Sequence, residues 1–60
     1  MMPTYLVQTE DGLLHGYFSA DILRIDLAIN KEENVKLYSL DQGLTTTYVP
    51  MTREQLDEIA

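Results

Sequence analysis

Between positions 22 and 29 the chain reads Ile-Leu-Arg-Ile-Asp-Leu-Ala-Ile. Leu23, Ile25, Leu27 and Ile29 alternate with Arg24, Asp26 and Ala28. A period of two is the mark of a strand with one dry and one wet face. A rival pattern runs through the same residues. Ile22, Ile25 and Ile29 recur at helical spacing behind Ser19, a good helix-capping residue. Against the helix, Leu23 and Leu27 fall on a different side of it, and isoleucine is poor helix material because of its β-branch. The strand is therefore the expectation, and a helix over residues 20–29 is the alternative.

The flanking segments extend the strand reading. Residues 4–9 and 13–18 read as a hairpin across Asp11-Gly12, with Val7 facing Gly16 and Tyr5 facing Phe18. Residues 35–40 and 44–49 read as a second hairpin around Asp41-Gln42-Gly43, with Gly43 left-handed and Val35 facing Val49. Residues 19–22 read as a four-residue loop, and residues 30–34 as a polar loop in which Glu32 and Glu33 are solvated acids. Four turns read separately then give one apolar face, built from Tyr5, Val7, Leu14, Phe18, Leu23, Ile25, Leu27, Ile29, Val35, Leu37 and Val49. Pro50 is expected to end the fifth strand. Thr52 and Gln55 form a capping-box pattern that starts a short helix, with Leu56 and Ile59 on one side. The expected fold is mainly β (α+β class): a five-stranded antiparallel meander with a short C-terminal helix, in which the sheet can curl toward a small barrel. The alternative order is ββαββα.

Sixty residues make a single small domain, residues 1–60, of marginal stability. With no cysteine and one histidine, neither a disulfide framework nor a thiolate or His-rich metal site is available. No cofactor is implied, and a partner is the remaining way to stabilise so small a chain. A homodimer is expected, because a meander exposes both edge strands. The net charge of −6 disfavours direct nucleic-acid binding. The apolar runs are too short to span a membrane, and no signal peptide is read, so a cytoplasmic location is expected.

No residue set suggests catalysis, and an enzyme is not expected. The wet face of the proposed sheet is the suggestive place. There Tyr17, Tyr38 and Tyr48 would lie with Leu6, Leu40 and Leu44, and Arg24 and Asp26 would sit among the rings. His15 would oppose Asp26, Tyr17 would oppose Arg24, Asp26 would oppose Tyr38, and Lys36 would oppose Tyr48. Ordinary cross-strand pairs explain these juxtapositions as well as any recognition does. Tyrosine and arginine are nonetheless enriched where proteins bind one another. The expected function is a small acidic interaction module, a regulator or inhibitor of the kind carried by phages or mobile elements. Tyr17, Arg24, Asp26, Tyr38 and Tyr48 are its candidate partner-binding residues. Two alternatives remain. One is an acidic mimic of nucleic acid that blocks a nucleic-acid-binding protein. The other is a very small ligand-binding domain or enzyme centred on His15 and Asp26.

Overall fold

The computed structural model describes residues 1–31 and 33–59. Its order is β1 (Tyr5–Gln8), β2 (Leu14–Tyr17), α1 (Ala20–Asn30), β3 (Lys36–Gln42), β4 (Thr46–Met51) and α2 (Arg53–Glu58). This is the alternative ββαββα order, in the α+β class. The sheet is open, with four strands in the order β2-β1-β3-β4, and every pairing is antiparallel. The expected fifth strand and the curl toward a barrel are both absent from it.

The topology shows why residues 20–30 coil. Both β2 and β3 run antiparallel to β1, one on each side of it, so they run parallel to each other. A parallel pair needs a crossover, and a helix is its usual form. Ser19 supplies the cap: its backbone is extended and its hydroxyl accepts from the Ile22 N–H at 3.4 Å. Leu23 and Leu27, one turn apart, then reach the sheet together with Ala20. The helix ends at Lys31, which is left-handed at φ 51° and returns its N–H to the Ala28 carbonyl. Burial of the two leucines outweighs the β preference of three isoleucines. Ile22, Ile25 and Ile29 turn away from the sheet and stay exposed. The polar loop expected around residues 30–34 begins at that cap. Glu32, expected there as a solvated acid, lies outside the described residues.

The first hairpin departs from expectation by one residue. Tyr5 faces Tyr17, Leu6 faces Gly16 and Val7 faces His15. The turn holds three residues, Glu10 to Gly12, between Thr9 and Leu13. The Gly12 N–H donates to the Thr9 carbonyl and the Thr9 N–H to the Leu13 carbonyl, both at 2.9 Å. Gly12 takes φ 90°, the left-handed residue that closes such a three-residue loop. A slip of one exchanges the faces of a strand. Leu14 and Phe18 therefore leave the core side and are exposed, while His15 and Tyr17 turn toward α1.

The second hairpin slips by an even number, which preserves its faces. Leu37 pairs with Met51, Leu40 with Tyr48 and Gln42 with Thr46. Lys36 therefore does not oppose Tyr48. Gly43 is not left-handed, since Gly12 is the only described glycine with positive φ. Strand β4 also runs through Pro50 instead of stopping there. An edge strand tolerates the missing donor.

Helix α2 forms as its capping box predicts. The Gln55 N–H donates to the Thr52 hydroxyl at 3.1 Å, and the Thr52 N–H donates to Gln55 Oε1 at 2.9 Å. Leu56 is buried with Val7, Ala20, Leu23, Leu27 and Leu37 in one cluster. Tyr5, Tyr17, Val35, Met51 and Ile59 pack around it. Both helices thus lie on the face that carries Val7 and Leu37.

Candidate functional site

The face opposite the helices carries Leu6, Gln8, Leu14, Tyr38, Leu40, Tyr48 and Pro50, by alternation from the registers of the three ladders. Its centre is Leu6 beside Tyr38 and Leu40 beside Tyr48. These four are half-buried, and Leu14 at the β2 edge is 59 % exposed. Neither helix covers them.

The chain places its own N-terminal segment on part of this face. The backbone bends at Thr4, and Pro3 folds over β2. A Cβ at Gly16 would stand 2.7 Å from Pro3 Cγ, so glycine is needed there for Pro3 to approach. The Tyr48 hydroxyl donates to the Pro3 carbonyl at 2.6 Å. The Thr4 carbonyl accepts from the Leu40 N–H at 2.8 Å. The segment is thereby tied to β4 and β3, while Tyr38 has no such tether among the described contacts.

Of the five residues expected to bind a partner, Tyr38 and Tyr48 share this face. Tyr17 is on the other face, packed against the core cluster. Arg24 and Asp26 are on α1, so the expected cross-strand pairs of Tyr17 with Arg24 and of Asp26 with Tyr38 do not exist. Leu44 lies in the β3–β4 loop, fully exposed. Leu14 and Pro50 belong to the open face and were missed by sequence reasoning. The one-residue slip hid Leu14, and the expected strand end hid Pro50.

Arg24 is engaged inside the chain. Its guanidinium donates to the carbonyls of Leu56 at 2.7 Å and Ile59 at 3.0 Å, and pairs with Asp21 one turn earlier on α1. It reinforces the end of α2, adding a second donor to the Leu56 carbonyl, which also accepts from the Ile59 N–H at 3.2 Å.

His15 and Asp26 come together by a route other than strand pairing. Both line a cleft of about 360 Å³ between α1 and the first hairpin, with Thr9, Tyr17 and Asn30 on its wall and Val7 and Leu27 in its floor. Asn30 is partly committed, since its amide donates to the Asp26 backbone carbonyl at 3.0 Å. No group of three His, Asp or Glu side chains suited to a metal ion occurs among the described residues.

The acids are dispersed. Glu10 and Asp11 sit at the hairpin tip, Asp21 and Asp26 on α1, Asp41 near the end of β3, and Glu54, Asp57 and Glu58 on α2. At Asp11, the hydrogen bond from the Thr9 hydroxyl is the main cause that lowers the carboxyl pKa below its ordinary value, and His15 adds to it. No described helix is long and apolar enough to cross a membrane.

Comparison of the chain with protein-family models, with curated proteins and with solved structures finds no match.

Proposed function

We propose that this chain is a small protein-interaction module, a regulator or inhibitor without catalytic chemistry, and that it docks a partner protein on the open sheet face. One observation carries the reading: two tyrosines and two leucines lie side by side on a face that neither helix covers. Aromatic side chains offer large contact area at little entropic cost, and they dominate binding energy at protein interfaces. Tyr38 is the central contact. Tyr48 holds the N-terminal segment at the margin, and Leu14 extends the apolar surface to the β2 edge. The dispersal of the acids over the hairpin tip, α1, β3 and α2 supports reading the net charge as solubility.

Affinity capture from source lysate tests the proposal, with wild-type chain beside Tyr38→Ala and Leu14→Ser. Leu14 is largely exposed, so its replacement spares the core. A protein held by wild type and lost from both variants is expected, with the far-ultraviolet spectrum unchanged. Equal recovery by all three would overturn the reading.

A second reading rests on the cleft that His15 and Asp26 share. Its volume lies within the range of small-ligand sites, and polar groups surround an apolar floor. We propose it as a site for a small polar molecule. Amide shifts confined to Thr9, His15, Asp26 and Asn30 in a ligand screen would support it; a screen that moves none of them would remove it.

A further inference from the structure

Helix α1 is apolar on two sides. Leu23 and Leu27 face the core. Ile22, Ile25 and Ile29 are 57 %, 56 % and 71 % exposed. At 3.6 residues per turn these isoleucines fall within about 60° of one another, nearly opposite the two leucines. Phe18, just before the cap at the same end as Ile22, is 61 % exposed. Together they make an exposed apolar patch on the side of α1 away from the core, and such patches mark interaction surfaces.

We propose that the outer side of α1 is a self-association surface, on which a second copy of this chain lays its own α1 antiparallel about a two-fold axis near Ile25. The spacing is self-complementary in that orientation. Ile25 meets Ile25 of the second copy, and Ile22 meets Ile29 of the second copy. One patch serving both copies is what a closed two-fold dimer requires. The antiparallel arrangement sets each helix N-terminus beside the other's C-terminus, which favours the pairing of their dipoles.

A membrane surface suits this stripe poorly. Interfacial helices carry Lys and Arg on their polar face, whereas this stripe is flanked by Asp21 and Asp26 on a chain of net charge −6. The surface is small. The chain exposes 4466 Å². A patch of about a tenth of that on each copy totals less than the ~1,200 Å² of a standard interface, so the dimer is weak. Asp26 lies at the margin next to the axis and faces its own symmetry mate. Two acidic chains with such a margin associate more tightly as salt screens them. A basic partner on the same stripe would show the opposite dependence.

Sedimentation equilibrium of the full chain tests this, from about 10 μM to 1 mM and in salt from about 50 mM to 0.5 M. The expected mass rises with concentration from 6.9 kDa toward twice that value, and the dissociation constant falls several-fold with added salt. Ile25→Glu and Ile29→Ser replace exposed side chains. Each should weaken association by about tenfold or more, with the circular dichroism unchanged. Leu14→Ser, on the open sheet face, should leave it unaltered. A wild-type chain that stays at single-chain mass throughout would overturn the proposal. So would a dimer lost through Leu14→Ser but kept in both isoleucine variants, which would move self-association to the sheet face.

Discussion

Asp11 shows how one side chain fixes a turn. The Thr9 hydroxyl donates to its carboxylate, and Gly12 completes the loop with positive φ. The bond favours the ionised form, so the folded chain holds this group below the ordinary carboxyl pKa. The sign follows. The contribution to stability is present above the ordinary carboxyl range and is lost as pH falls through the lowered folded value. Full exposure keeps it small. An NMR titration of Asp11 should show the lowered midpoint, and Thr9→Val should return it toward the ordinary value. An identical midpoint in the variant would contradict the assignment. Gly16 offers a second test at this scale. A methyl group there collides with Pro3 at 2.7 Å. Gly16→Ala should push Pro3 away and break its bond to Tyr48, at a cost of about 1 kcal/mol. Urea unfolding measures the loss, and unchanged stability with unshifted Tyr48 resonances would count against the close approach.

At the scale of elements, α2 depends on α1. A helix of six residues is too short to stand alone, so Leu56 and the capping groups hold it. Arg24 closes the far end through two carbonyls. Arg24→Met keeps the aliphatic stem and removes the donors. It should lower stability by about 1–2 kcal/mol and accelerate amide exchange in α2 more than in the sheet. Uniform exchange through both would show that α2 does not rely on this residue. The same comparison of elements shows what was legible in the sequence. Thr52 and Gln55 announce α2 because a capping box is local. The Tyr38 and Tyr48 side of the second hairpin was readable because an even slip returns every residue to its face. The register of the first hairpin is not legible, because Asp11-Gly12 suits both a two-residue and a three-residue turn, and the difference exchanges faces. Residues 22–29 were ambiguous for a deeper reason. Leu23 and Leu27 satisfy both periods, and the choice depends on a crossover between β2 and β3 that no local pattern records.

At the scale of the whole molecule, six of the described residues form the core, and apolar side chains remain uncovered on both sides of it. A 60-residue domain has a stability of roughly 3–9 kcal/mol. Leu23 is fully buried, and Leu23→Ala should cost about 2–5 kcal/mol. The variant should therefore unfold at a clearly lower urea concentration than the wild-type chain, followed by circular dichroism. An unchanged midpoint would place Leu23 outside the core. Both proposed surfaces follow from α1 lying on one face of the sheet. A nuclear Overhauser spectrum tests that most directly. Sequential amide contacts through residues 20–30 are predicted, with Leu23 and Leu27 methyls near Val7 and Leu37 and no helix proton near the Tyr38 ring. Cross-strand contacts between residues 23–29 and 14–18 would contradict the fold and both surfaces drawn from it.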